Sequence, residues 1–368
     1  MEYFDPLGVE DSRFHDKIPR RRDRLRQAAS RGTSAAGVRR SWHIDMRELQ
    51  AMKSSLSRRT FCRAATFTWL AAQLPRAIAA TPSSAFGALS TAEEVTAGLD
   101  LTGMTAVVTG CNSGIGYETM RVLALRGAHV IGTARTVEKG RQACDSVKGK
   151  ATPVVMELTD FDSIVACAGE IQSMNVSIDM LILNAGIVLG ELQQVNGIEK
   201  QFVVNHLGHF ILTNRMLDRV KAARQGRVVV VGSGSHRNAP EGGIQFDKLS
   251  GEGWSDRGYA HSKLANGLFS LELAKRLEGT HATSNCVSPG PVRTNIRRYV
   301  SSSTPDSAKS PAQGAATTCY VATSRALANV SGEYFADCNP VQQSAYQSDP
   351  AMAAKLWEVS AGLTRKYL

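Results

Sequence analysis

The sequence predicts one doubly wound α/β domain with a central parallel sheet, carried behind a basic N-terminal leader. Three observations predict it. From residue 98 onward, short β-branched and apolar runs alternate with longer stretches at helical spacing. A glycine-rich turn joins the first such run to the first such helix. The charge is uneven: residues 1–90 hold 16 Lys and Arg against 8 Asp and Glu, whereas the remaining 278 residues hold 27 against 25. The net charge of +10 therefore belongs mostly to the leader. A nearly neutral main body speaks against a nucleic-acid-binding face.

Within the leader, residues 1–90, the first sixty residues have little apolar periodicity and many Arg and Ser residues, as at Arg20, Arg21, Arg22, Arg24 and Arg26. Such a stretch buries too little surface to fold alone. Ser57-Arg58-Arg59-Thr60-Phe61 precedes a short apolar run at 64–72, and Ala77-Ile78-Ala79-Ala80 then offers a small-residue cleavage pattern. This is the layout of a cleavable signal, and the paired arginines resemble a twin-arginine signal. The long stretch ahead of it suits a two-part presequence leading into a plastid. Its acidic residues (Glu2, Asp5, Glu10, Asp11 and Asp16) do not suit a transit peptide, unless Met52 is the true start. A basic tail without an address, on a cytoplasmic protein, is the alternative. The apolar run is interrupted by Gln73 and Pro75 and is shorter than the roughly 20 residues a membrane span needs.

Thr105–Thr109 is a β-branched run suited to a buried parallel strand, and Gly110, Gly114 and Gly116 follow it. Ile115, Thr119, Val122 and Leu123 then recur at helical spacing. Glycines let the backbone approach a pyrophosphate, and the helix N-terminus offers free N–H groups to it. Gly110, Asn112, Ser113, Gly114, Ile115 and Gly116 are the expected cradle. The spacing Thr109-Gly110-x3-Gly114-Ile115-Gly116 resembles that of the short-chain dehydrogenase/reductase family.

The next strand is expected at Ala128–Ala134. At its end, where enzymes preferring NAD usually place an acidic residue, the chain has Arg135. A guanidinium pairs with a 2′-phosphate and a carboxylate repels it, so NADP(H) is expected over NAD(H). A third strand is expected at Val154–Leu158. The resemblance implies a contact to the adenine from Glu157 and Leu158, where the family usually has an Asp. Met180–Leu183 is a fully apolar strand running into Asn184-Ala185-Gly186, one Asn short of the family's motif. The resemblance places these three beside the nicotinamide.

Residues 202–210 are expected on a helix. Asn205 there matches the family's active-site Asn, which holds the water of a proton relay. His206 and His209 have no acidic or Cys partners at metal spacing and read as packing histidines, so no metal site is expected. The seven cysteines form no Cys-x-x-Cys pair and read as free thiols. Cys111, inside the glycine loop, is a candidate redox-sensitive thiol.

Arg227–Val231 is a further buried strand, ending in Gly232-Ser233-Gly234-Ser235. Tyr259-x3-Lys263 follows, on a helical pattern continued by Leu264, Leu268 and Leu271. Spacing of four residues stacks the phenol and the ammonium on one face. A phenol ordinarily titrates near 10, and a nearby ammonium lowers it toward a working range. Tyr259 is then the expected proton donor to a carbonyl oxygen, with Lys263 tuning it and holding the nicotinamide ribose. A Ser hydroxyl supports the developing charge, Ser233 by alignment with the family and Ser235 as runner-up. Pro289-Gly290-x-Val292-x-Thr294 matches the family segment that closes over the nicotinamide.

The resemblance covers 98–368. It is similar to the subgroup of retinol-dehydrogenase-like enzymes, WW-domain oxidoreductases and the plant chloroplast translocon-associated dehydrogenase, although no WW-type tryptophan pair precedes the domain. It implies a small lipophilic aldehyde, ketone or alcohol as substrate, chosen by the loops at 235–258 and 293–310, the second a mobile lid. Two alternatives stay open. One is an NADPH-binding, redox-responsive interaction protein associated with an organelle membrane. The other is a protochlorophyllide-reductase-like enzyme, against which the short 235–259 segment argues.

Overall fold

The computed structural model describes residues 81–254, 257–300 and 305–368. The leader signals at 57–80, Met52 and part of the expected lid lie outside the described residues. Among those described, the helices and strands run in chain order as α1 (Ala92–Val95), β1 (Thr105–Thr109), α2 (Gly114–Leu125), β2 (His129–Ala134), α3 (Val137–Asp145), β3 (Lys150–Val155), α4 (Phe161–Ser173) and β4 (Met180–Leu183). A two-strand hairpin, β5 (Gln194–Val195) and β6 (Ile198–Glu199), leads into α5 (Lys200–Phe202), a π-helical turn (Val203–Leu207) and α6 (Gly208–Lys221). Then come β7 (Arg227–Val231), α7 (Gly258–Arg276), β8 (Thr283–Ser288), α8 (Pro311–Thr323), β9 (Tyr334–Ala336), β10 (Asn339–Pro340) and α9 (Pro350–Thr364).

The large sheet has the order β10-β9-β8-β7-β4-β1-β2-β3, and only the β9–β10 pair is antiparallel. The order reverses between β1 and β4, so their carboxyl ends open a crevice there. Its central strands are covered on both faces. Ala106, Val108, Met180, Ile182, Val229 and Val231 pack with Met120, Val122 and Leu123 of α2 and with Ala315 and Cys319 of α8. The intervening Val107, Leu181, Leu183, Val228 and Val230 pack on the other face with Ile164, Ile171, Phe210 and Phe269. Alternate residues thus reach opposite layers, and an uninterrupted apolar run is what such a strand requires.

Two elements differ from expectation. The third strand is Lys150–Val155, starting four residues earlier and ending before Glu157 and Leu158, which lie in the turn after it. It is the edge strand, pairing with β2 alone over six residues. An edge position tolerates Lys150 and Pro153, whose composition reads as loop. The helix expected at 202–210 is broken by the π turn, where the Gly208 amide reaches back five residues to the Val203 carbonyl. Contacts of the domain also begin ahead of residue 98: Phe86 packs edge-on against Tyr320, and Ala92 and Val95 are buried.

Burial shapes the response to acid. His206, His209 and His261 are held neutral by desolvation, at about 3, about 4 and about 3 respectively. An unfolded chain protonates them near 6.5, so it binds protons first as the pH drops. Folded stability should be constant in this respect above pH ~6.5 and fall below it, by up to about 1.4 kcal/mol per pH unit for each histidine. Urea midpoints measured from pH 7.5 to 4.5 check this, and a flat profile would contradict it. A second expectation concerns the turn after β1. A methyl on Gly116 would collide with the Gly110 carbonyl and the Asn184 side-chain amide. Gly116→Ala should cost about 1–3 kcal/mol through forced backbone shifts, read by thermal unfolding.

Candidate active site

A cavity of about 830 Å³ opens at the carboxyl ends of β1, β4 and β7. Its floor at one end is the turn after β1. Gly110 has φ +70°, and a Cβ there would press on Ala185 at 3.0 Å. Ser113 caps α2 without a side-chain cap bond, which leaves the first turn's N–H groups facing the cavity. Gly110, Asn112, Ser113, Gly114, Ile115 and Gly116 all line it.

Across the switch point, Asn184 reaches back to the glycine turn. Its Nδ2 donates to the Thr109 carbonyl at 2.9 Å, and the Thr109 hydroxyl accepts the amides of Asn184 and Ala185, each at 2.9 Å. The strand end therefore carries the turn that carries the cavity wall. Asn184, Ala185 and Gly186 line the cavity beside this contact, and Pro289, Gly290, Val292 and Thr294 line it from the loop after β8.

The residues expected at the adenosine end also lie at this cavity. Arg135 is exposed at the end of β2 and lines the cavity. Glu157 and Leu158 line it too, but Glu157 Oε1 accepts the Thr159 amide at 3.0 Å and hydroxyl at 2.9 Å, so that oxygen is engaged within its own turn. Glu157 is the only carboxylate among the described residues lining the cavity, against the cations Arg135, Lys139, Lys200, Lys263 and Arg298. Lys139 and Lys200 escaped the sequence reading. Lys139 sits in the first turn of α3, four residues past Arg135, and that spacing was the available signal. Lys200 belongs to no motif.

At the opposite end stand Ser233, Tyr259 and Lys263. The α7 spacing stacks Lys263 over the Tyr259 ring, Nζ 5.6 Å from its centroid. The ammonium points elsewhere, however: Nζ donates to the Val231 carbonyl at 2.8 Å, and burial lowers it to about 8. Burial pushes the Tyr259 phenol up, while the Ser233 hydroxyl and the Arg297 charge act against that shift. The Lys263 nitrogen is thus held by a carbonyl at the end of β7 while lying over the Tyr259 ring. Ser233 accepts the Ser235 amide and donates to the Ser235 hydroxyl, both at 3.1 Å. Ser233 lines the cavity and Ser235 does not.

Asn205 lies behind the wall, fully buried in the π turn. Its Oδ1 accepts the Ile187 amide at 2.8 Å, and its Nδ2 donates to the Ile187 carbonyl at 3.1 Å and to the Ser262 hydroxyl at 2.9 Å. The side chain clamps the segment beyond Gly186 from the rear. Cys111 is buried as well, and its contact with the Cys144 thiol, together with burial, pushes it above the ordinary thiol range. A reactive thiolate is the opposite case. No cluster of metal-ligating side chains occurs among the described residues.

Comparison with known proteins agrees with this geometry. A family profile described as short chain dehydrogenase matches residues 104–305. The chain is similar to short-chain dehydrogenase TIC 32 A, chloroplastic, of Brassica napus, 37% identical over 302 residues that cover 76% of this chain and 94% of the relative. It is similar to human retinol dehydrogenase 11, 37% identical over 282 residues, 73% of this chain and 88% of that one. Among solved structures, an uncharacterized protein from Mycobacterium paratuberculosis superposes with a TM-score of 0.62 at 31% identity, over 74% of this chain and 97% of that one. By profile, by sequence and by sheet order, the chain belongs to the short-chain dehydrogenase family of oxidoreductases.

Proposed function

We propose that the protein is an NADP(H)-dependent oxidoreductase acting on the carbonyl or alcohol group of a small lipophilic substrate. The observation that carries this reading is that a single cavity holds a bare glycine turn at a helix N-terminus at one end and Ser233, Tyr259 and Lys263 at the other. The cradle fits a dinucleotide: Gly110, at φ +70°, and Gly116, pressed on the Gly110 carbonyl, hold the turn tight, so that Asn112, Ser113 and the N-terminus of α2 line the cavity where a pyrophosphate would sit. Arg135, Lys139, Lys200 and Arg298 supply positive charge where NADP(H) carries more negative charge than NAD(H). The relative named as a retinol dehydrogenase supports a lipophilic alcohol or aldehyde, and the relative named as chloroplastic supports a plastid location.

A nicotinamide cofactor held in the cavity would supply or receive the hydride. The residues handle the rest. Tyr259, a phenol protonated at neutral pH and pushed further up by burial, gives its proton to the carbonyl oxygen during reduction and takes it back during oxidation. Ser233, beside that phenol, offers a hydrogen bond to the same oxygen as negative charge gathers there. Lys263, anchored on Val231, would hold the ribose and return a proton to Tyr259. Asn205 and Thr109 keep the 184–187 wall in place beneath them.

Two expected outcomes test this reading. The full chain should consume NADPH with members of an aliphatic, aromatic and retinoid carbonyl panel, and Tyr259→Phe should lower kcat by about 10²–10⁴-fold with NADPH still bound. Undiminished turnover in that variant would remove Tyr259 from the chemistry, and no NADPH binding by the wild type would remove the cofactor. Arg135→Ala should raise KM for NADPH about 10–150-fold, one charge-assisted contact being worth roughly 1.5–3 kcal/mol, and leave KM for NADH unchanged. Equal changes for both cofactors would contradict the assignment of Arg135 to a phosphate.

A further inference from the structure

His209 is a buried ring that the reaction above does not use, and it bonds to both supports of the cavity wall. Its Nδ1 lies 3.0 Å from the Asn205 main-chain carbonyl. A carbonyl only accepts, so Nδ1 carries the hydrogen. The ring is neutral, since burial lowers it to about 4. Nε2 is then a bare lone pair, and the Thr109 hydroxyl, 2.9 Å away, must donate to it. The competing acceptor for that hydrogen, the Ile182 carbonyl, is farther at 3.5 Å. With its single hydrogen spent on His209, the Thr109 oxygen turns its lone pairs to the Asn184 and Ala185 amides. On the other side, Asn205 grips both backbone groups of Ile187. One imidazole therefore joins the grip on 184–185 to the grip on 187.

We propose that His209 is a positioning residue, whose Nδ1-protonated ring ties the end of β1 to the π turn and fixes the 184–187 wall against the reacting end of the cofactor. The proposal rests on the reading of the cavity as a nicotinamide dinucleotide site. The π turn is what brings the two grips into line, since it advances the helix by one residue between Asn205 and α6.

The test is His209→Asn in the full chain, beside His206→Asn. An Asn can still donate to the carbonyl four residues back, as Asn214 does to Phe210 at 2.8 Å, but it is too short to meet Thr109. His206 is equally buried and bonds Ser360, with no contact to the wall. The expected result is a kcat for NADPH-dependent carbonyl reduction at least about fivefold below that of His206→Asn, because a small misplacement costs rate, with Kd for NADPH within about threefold of wild type. A kcat within about fivefold of the His206→Asn value, or a loss that appears in Kd instead, overturns the proposal. The ¹⁵N spectrum of histidine-labelled wild-type protein gives an answer that needs no variant: Nδ1 of His209 should be protonated and Nε2 not, and the opposite tautomer overturns it. If wild type binds NADPH and turns over while His209→Asn is unaffected, only the role of His209 falls. If wild type binds no NADPH, both readings fall together.

Discussion

Gly116 sits directly against the carbonyl of Gly110 and the side-chain amide of Asn184, and the rest of the site depends on that close approach. No other residue fits there without moving either the strand end or the neighbouring wall. The approach lets α2 begin immediately after β1, pointing its N-terminus into the crevice where the sheet order reverses. It also lets Asn184 reach the Thr109 carbonyl, which locks two adjacent strand ends at one height. The glycine turn and the Tyr259 end of the cavity are thereby referred to the same rigid sheet rather than to separate loops.

Charge and burial divide the cavity into two functional halves. The half around Arg135, Lys139 and Arg298 is open and cationic, suited to phosphates. The half around Tyr259 and Lys263 is governed by desolvation, which raises the phenol and lowers the ammonium. Both shifts favour the uncharged forms. Lys263 is anchored on Val231, and the Ser233 hydroxyl lies beside the phenol.

The parts of this arrangement written as local patterns were legible in the sequence. The glycine turn, the apolar strands at 105–109, 180–183 and 227–231, and the Tyr259–Lys263 spacing each follow from short-range rules, and all three strands stand at the expected residues. The features that were not legible depend on partners distant in sequence. β3 is a strand because β2 pairs with it, despite Lys150 and Pro153. The π turn at Asn205 has no composition of its own, and it exists where the helix must serve Ile187, Ser262 and Thr109 together. The direction of Lys263 was hidden for the same reason: spacing along a helix says which side chains are neighbours, and the carbonyl that captures the ammonium belongs to another strand.

The most direct test of the account is to follow the hydride itself. Turnover of an accepted aldehyde with NADPH deuterated at both C4 positions, analysed by mass spectrometry, should place one deuterium on the carbinol carbon and a solvent proton on its oxygen. A carbinol carbon carrying hydrogen from solvent would contradict hydride transfer in this cavity, and with it the roles given to Tyr259, Ser233 and the glycine cradle.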